Sequence, residues 1–287
     1  MTQLKKNLEE DGFCLIPKSF SSSYVQGLID AVERTLENEN FSYDFLKLDK
    51  TKHTYKIKYM FEKDEFFYKT LVSDPLLSII LDLIDDPQSV VPTWEDMLIK
   101  APSAGIPVTV HQDIDLLSTL NNVFIIGIYM HDACHNPVHY LPGSHNLGAL
   151  KREEIYEIYH LNKDNFVPLN AKAGDISIHN VKTIHFSEKN KSKNPRYTWY
   201  LEFRTKDQLI KDSPWDIEWI SARRAIWVNA LRTYKKNIEH LIPDEEELKP
   251  YINPLRLRVL HTNEKIKYDL NSPYNHFERA PSSEDVE

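Results

Sequence analysis

An antiparallel β barrel or sandwich framed by helices is the fold this sequence predicts, on two patterns. From Val90 onward, short runs rich in β-branched and aromatic residues recur, each closed by Gly, Pro, Asn or Asp: 90–99, 106–111, 122–130, 138–141, 175–179, 182–186 and 195–205. Short strands at this spacing suit a barrel or sandwich. On either side of them the apolar residues recur at helical spacing instead.

The helices follow from their caps and stripes. Ser21 to Ser23 cap a helix carrying Val25, Leu28, Ile29, Val32 and Leu36 on one face. Asp74-Pro75 starts a second, with Leu76, Leu77, Ile80, Leu81 and Ile84. Residues 1–89 are therefore expected to be mainly helical, ahead of a β core over 90–205. A helix over about 151–160 interrupts the strands, and Pro214 opens a longer one through Tyr234, with Ile220, Trp227, Leu231 and Tyr234 as its buried stripe. The C-terminal segment, 206–287, reads as a helical extension that ends, beyond Pro243, in a charged, disordered tail. One domain over 1–287 is expected.

Composition narrows the function. The chain has 287 residues, 41% of them hydrophobic and 27% charged, which is ordinary for a soluble globular protein. A net charge of -8 argues against a nucleic-acid partner. Cys14 and Cys134, the only cysteines, are too few for a disulfide framework and read as reduced thiols. No secretory signal and no apolar run of membrane-spanning length is visible, so a cytoplasmic protein without a membrane partner is expected.

The chemistry concentrates in His111-Gln112-Asp113, the only His-x-Asp in the chain. It follows the run 106–111, and residues two apart on an extended segment point the same way, so the imidazole and the carboxylate can meet at one ion. A histidine from a later strand would complete a two-His-one-carboxylate triad, which leaves positions open on Fe(II) for a cosubstrate and O₂. His185 is the candidate: it follows the Gly174-Asp175 turn and precedes Arg196 by the spacing expected of adjacent strands. An arginine there can hold the far carboxylate of 2-oxoglutarate by a bidentate, charge-assisted pair.

Two other readings stay open. His131, His135 and His139 recur every fourth residue, which on a helix would suit zinc in a cupin-like enzyme, although Pro137 and Pro142 oppose that helix. A ligand-binding protein without turnover is the non-catalytic alternative.

Several segments together resemble the phytanoyl-CoA dioxygenase family over most of residues 10–205. They are Asp11-Gly12-Phe13, Met97-Leu98-Ile99-Lys100-Ala101-Pro102, Val110-His111-Gln112-Asp113 and Asn136-Pro137 through Pro142-Gly143-Ser144-His145. Distally, Gly174-Asp175, His179, His185-Phe186-Ser187, Asn190, Ser192, Pro195 and Arg196 fall in the family's order. The resemblance implies a double-stranded β-helix, a cupin-like jelly-roll, housing an oxygenase that uses Fe(II), 2-oxoglutarate and O₂. It implies His111, Asp113 and His185 as iron ligands and Arg196 with Ser187 as contacts to the cosubstrate carboxylate. Met97 and Tyr129 fall where the family packs residues around the cosubstrate, and Lys56, or its neighbour Lys58, near a family lysine that reaches it. Retention of Asp113 separates the chain from halogenating relatives, which replace this carboxylate.

Along its strand Arg196 should share a face with Thr198, Tyr200, Glu202 and Arg204. Asp115, Glu95 and Glu202 are candidates to hold a cationic substrate group, and Arg204 to hold a carboxylate. The expected substrate is a small zwitterionic metabolite, an amino acid or a derivative in a biosynthetic pathway, with surface or intrastrand ion pairs as the competing explanation of these charges. The oligomeric state stays open.

Overall fold

A computed structural model describes residues 2–38, 44–48, 51–103, 107–114, 122–211 and 217–242. The tail beyond Pro243, Asp115 and Pro214 lie outside the described residues.

The strands are β1 (Phe13–Ile16), β2 (Asp44–Leu48), β3 (Thr51–Ile57), β4 (Val90–Lys100), β5 (Val108–His111), β6 (Phe124–Tyr129), β7 (Val138–Tyr140), β8 (Val167–Leu169), β9 (Ile176–Asn180), β10 (His185–Ser187) and β11 (Arg196–Thr205). The helices are α1 (Gln3–Glu10), α2 (Ser22–Glu37), α3 (Glu65–Thr70), α4 (Asp74–Leu83), α5 (Arg152–Leu161), α6 (Lys206–Lys211) and α7 (Ile217–Tyr234). The strands form a seven-stranded sheet, β1-β9-β6-β11-β4-β3-β2, and a four-stranded sheet, β5-β10-β7-β8. Every described pairing is antiparallel. From β4 to β11 the chain passes back and forth between the sheets, as a double-stranded β-helix requires.

Each of the seven runs expected from Val90 onward contains a strand, although within 182–186 only His185 and Phe186 belong to it, and three differences from expectation have physical reasons. Residues 1–89 carry α1 to α4 but are not helical throughout: β1 extends one edge of the large sheet and the β2–β3 hairpin the other. β8 escaped the sequence pattern because it is a three-residue edge strand built around Pro168, a residue confined to such edges because it lacks an N–H. Lastly, β10 and β11 are not adjacent strands; they belong to different sheets, so His185 and Arg196 meet across the space between them.

The large sheet is buried on both faces. Its outer face presents Met97, Ile99, Ile126, Ile128, Ile178, Trp199, Leu201 and Phe203 to a helical layer containing Leu28 and Val32 of α2, Leu76 and Ile80 of α4, and Trp227 and Leu231 of α7. Each such side chain contributes about 1.5–3 kcal/mol of burial free energy, so this layer fixes which face of every strand turns outward. Val110 of β5 and Ile184, just before β10, pack instead with Ile155 of α5 and Phe166. β4 keeps its parity only as far as a bulge: Glu202 pairs with Trp94 but Phe203 with Pro92, and the extra residue, Thr93, donates its hydroxyl to Glu202 Oε1 at 2.6 Å.

One ion pair lies inside the helical layer. Arg223 of α7 donates through Nη1 to Glu95 Oε1 at 2.6 Å and through Nε to Pro92 O at 2.7 Å, with both side chains 1% exposed. Burial alone would favour neutral arginine, but the Glu95 carboxylate outweighs it and raises the Arg223 pKa. Arg223→Met removes the charge partner of a buried carboxylate and is expected to cost roughly 3–5 kcal/mol in urea unfolding, much of it recovered in the double variant Glu95→Met/Arg223→Met. An unchanged midpoint for the single variant would contradict this role. Among the thiols, burial pushes Cys14 up to about 12 while Cys134 is exposed. A disulfide reagent should therefore titrate Cys134 alone in the folded protein and both thiols in denaturant; rapid native reaction of Cys14 would mean that β1 opens.

Candidate metal centre and active-site cavity

β5 and β10 are neighbours in the small sheet, with His111 directly opposite His185. Beyond β5 the backbone stays anchored, because Asp113 N donates to Val181 O at 2.7 Å. Gln112, between the two candidate ligands, turns the other way. Its Nε2 donates to Gly148 O at 2.9 Å and Lys182 O at 2.6 Å, and its Oε1 accepts from Leu150 N at 2.9 Å. His111 and Asp113 therefore project into one space from a fixed loop.

The imidazoles are oriented by their own backbone. His111 Nδ1 lies 2.7 Å from Thr109 O and His185 Nδ1 lies 2.9 Å from Thr183 O. A carbonyl only accepts, so each ring carries hydrogen on Nδ1 and directs Nε2 inward. There His111 Nε2 is 3.3 Å from Asp113 Oδ1, and His185 Nε2 is 3.5 Å from Asp113 Oδ2. One donor atom from each of the three residues lies within 4.8 Å of the others. Burial opposes ionisation of Asp113, but the surrounding imidazoles of His185, His111 and His179 outweigh it and hold the carboxyl well below the usual range. His185 is pushed down to about 3, by burial first and by His111 second. An anionic oxygen and inward-facing imidazole nitrogens make a donor set for one divalent cation, gathered on one side so that other positions stay open.

A cleft of about 720 Å³, its mouth included, runs from this cluster between the two sheets. The large sheet lines it with Lys56, Trp94, Asp96, Arg196, Tyr200 and Glu202, and the small sheet with Tyr140 and Ser187 among others. Arg196 is 3% exposed and donates through Nη1 to Asn136 O. Asn190 steadies the approach to it, donating to Lys100 O at 3.1 Å and Asn194 O at 2.9 Å. Beside it, Lys100 Nζ donates to Ser187 Oγ at 2.8 Å and to Glu188 O at 2.6 Å. Burial, reinforced by Arg196, lowers the Lys100 pKa well below its usual value against the pull of Glu188. This end of the cleft gathers the Arg196 guanidinium, the Lys100 amine and the Ser187 hydroxyl, hydrogen-bond donors that suit an anion.

The family model described as phytanoyl-CoA dioxygenase matches residues 8–198, about two thirds of the chain. The chain belongs to the phytanoyl-CoA dioxygenase family. A phytanoyl-CoA dioxygenase domain-containing protein 1 homolog of Dictyostelium discoideum is 30% identical over an alignment of 122 residues that covers 37% of this chain and 43% of that protein. Among solved structures, EvdMO1 is similar with a TM-score of 0.59 and 25% identity, covering 71% of this chain and 49% of its own. The chain thus spans less than half the length of both. EctD from S. alaskensis, solved with 2-oxoglutarate and 5-hydroxyectoine, shares the fold with a TM-score of 0.62 at 16% identity, over 72% of this chain and 77% of that one. So does SnoK, a non-heme alpha ketoglutarate dependent carbocyclase from nogalamycin biosynthesis, with a TM-score of 0.57 at 23% identity, over 71% and 83%.

Family motifs outside the cavity have structural explanations. Gly174 has φ +90°, and a Cβ there would lie 2.5 Å from Phe20 O, so only glycine fits. Asp175 accepts from Lys18 N and Lys172 N, each at 2.8 Å, closing the turn before β9.

The other residues singled out from the sequence divide by strand parity. Lys56 and Ser187 line the cavity, and Tyr129 is fully buried on the inward side beneath Tyr200. Met97 does not line it: it faces the helical layer, and Asp96 and Leu98 are the inward residues of that strand. Glu95 is likewise on the outer face, paired with Arg223, so it is not a substrate contact. Glu202 reaches the cavity, but Arg204 Nε and Nη2 bind its two oxygens at 2.7 and 3.3 Å. The intrastrand ion pair therefore accounts for Arg204, which is not among the lining residues. Asp115 lies outside the described residues.

The histidines at 131, 135 and 139 do not form a zinc site. They sit on a bend after β6, in an exposed turn and on β7, and His139 stacks on Phe186 with centroids 4.8 Å apart. Among the described residues the one metal-competent group is His111, Asp113 and His185. Sequence reasoning missed Trp94, Asp96, Lys100, Tyr140 and the role of His179. For β4 the signal was available, since apolar Met97 and Ile99 mark the outward parity, but outward Glu95 broke the pattern.

Single replacements His111→Ala, Asp113→Ala and His185→Ala should each abolish tight binding of Co(II), followed by visible absorption, whereas Glu202→Gln should retain it. Stoichiometric Co(II) binding by any of the three alanine variants would remove that residue from the centre.

Proposed function

We propose that this chain is an Fe(II)- and 2-oxoglutarate-dependent dioxygenase that oxidises an unactivated C–H of a small metabolite. The observation that carries the reading is the convergence of His111, Asp113 and His185 on one face of a cavity whose other end holds buried Arg196, in a member of this family. The donor set fits iron: two imidazole nitrogens and one carboxylate, with open positions, form the facial arrangement used by non-heme oxygenases. Iron held there supplies the activation of dioxygen, coupled to oxidative decarboxylation of 2-oxoglutarate, that breaks a strong C–H bond.

The protein's own groups do the rest. Arg196 presents a guanidinium already oriented by Asn136 O, so that binding the distal carboxylate of 2-oxoglutarate loses little side-chain freedom. Ser187 offers a hydroxyl beside it, held by Lys100. Tyr140 and Ile125 enclose the space next to the cluster and limit water there.

For the substrate, we propose a small zwitterion such as an amino acid or a derivative, hydroxylated in a biosynthetic pathway. The support is a buried ion pair on the cavity wall: Lys56 Nζ is 3.1 Å from Asp96 Oδ2, with side chains 1% and 8% exposed, and Lys56 lies 5.2 Å from the centre of the Trp94 ring. The pair makes this stretch of the cavity wall polar, a surface that suits a charged, polar group better than a hydrocarbon chain. The two free thiols support a reducing compartment such as the cytoplasm.

Succinate release from 2-oxoglutarate under air tests the oxygenase and the substrate together. Turnover should require Fe(II), rise with one or more amino acids or their derivatives, and fall away in His111→Ala. Arg196→Met should raise KM for 2-oxoglutarate on the order of 10–100-fold, as expected for losing a charge-assisted pair. Absence of Fe(II)-dependent succinate would sink the oxygenase reading; stimulation by acyl-thioesters and not by zwitterions would sink the substrate.

A further inference from the structure

A third imidazole touches the carboxylate of the metal centre without belonging to its donor set. His179 Nε2 is 2.8 Å from Asp113 Oδ2, and on the far side of the ring His179 Nδ1 is 3.1 Å from the Tyr140 hydroxyl. The chemistry of the three groups sets the direction of both bonds. A carboxylate only accepts, so Nε2–H donates to Asp113, and the remaining Nδ1 lone pair accepts the tyrosine hydroxyl.

Each member of this chain is held rigidly. His179 is on β9 between β1 and β6, registered with Phe13 on one side and Ile125 on the other, and is 1% exposed. Tyr140 on β7 is 1% exposed and stacks on Phe13 with centroids 4.7 Å apart at 15°. Asp113 follows β5. The hydrogen bond therefore ties the large sheet to the small-sheet side of the cavity at the metal cluster itself. A carboxylate without it could turn about its terminal torsion and offer a cation both oxygens, closing a position that an oxygenase needs for cosubstrate or dioxygen.

We propose that His179, backed by Tyr140, is a positioning residue for Asp113: it engages one carboxylate oxygen as a hydrogen-bond acceptor, so that the side chain serves the metal through a single oxygen and the remaining positions stay open. The inference rests on the metal-centre reading above, and its test is separable from it because it needs no turnover.

The test is Co(II) titration of the full chain, read as affinity and as the visible absorption that reports coordination number, together with thermal unfolding of the metal-free forms. His179→Phe fills the space without a donor; it should weaken Co(II) binding roughly 10–100-fold, the usual effect of losing a hydrogen bond that orients a ligand, and alter the spectrum. His179→Gln keeps an N–H donor and should recover most of the affinity and the wild-type spectrum, and Tyr140→Phe should cost only a few-fold. Should His179→Phe not fold, His179→Met takes its place against His179→Gln. Wild-type affinity and spectrum in the donor-less variant overturn the proposal, as does a glutamine variant no better than it. If the wild-type chain binds no Co(II), the metal centre itself falls, a different failure from either of these.

Discussion

The antiparallel pairing of β5 with β10 sets His111 opposite His185, and the centre depends on that register. Side chains on paired strands alternate between faces, so a slip by one residue would turn one imidazole away and leave Asp113 facing a single nitrogen. The register is guarded from several directions. Backbone carbonyls of Thr109 and Thr183 fix the rings, Gln112 ties the loop to Gly148, Leu150 and Lys182, and α5 covers the outer face through Ile155. None of these contacts requires a metal. Contacts of this kind lower the ordering cost of binding a cation.

The large sheet solves a different problem, since its two faces see unlike surroundings. Outward, its residues pack in an apolar layer with α2, α4 and α7; inward, the same strands carry Lys56, Asp96, Arg196, Tyr200 and Glu202. Alternation along β11 makes the division plain: Trp199, Leu201 and Phe203 face the helices, and Arg196, Tyr200 and Glu202 the cavity. The apolar layer is what allows charged residues to be kept at fixed positions inside, because turning the strand over would bury those charges in hydrocarbon and expose the aromatic residues to the cavity.

Where a buried charge pair sits decides what it can do. Glu95–Arg223 lies among helix side chains and joins α7 to β4. Glu202–Arg204 lies along one strand, and the arginine occupies both carboxylate oxygens, so it shapes the wall without offering a vacant charge. Lys56–Asp96 lines the cavity itself, within reach of anything that enters. Buried pairs add little net stability compared with apolar packing, so location, and not the mere presence of charge, decides which of the three faces the cavity.

The sequence by itself marked His111 with Asp113 and most of the strands from Val90 onward, because these depend on local spacing: His-x-Asp on an extended segment and β-branched runs closed by turn residues. His185 and Arg196 it offered through the order of motifs, since the adjacent-strand spacing expected of them does not hold. It also carried enough ordered motifs to indicate the family. Only the tertiary structure decided which face of β4 looks inward, that β10 and Arg196 approach from opposing sheets, and that His179 and Lys100 support the two ends of the site. Those relations join residues far apart in the chain, and one-dimensional spacing has no term for them. A strand's parity is set by what packs against it, and a buried glutamate such as Glu95 reads the same in sequence whether its partner is a substrate or an arginine on a distant helix.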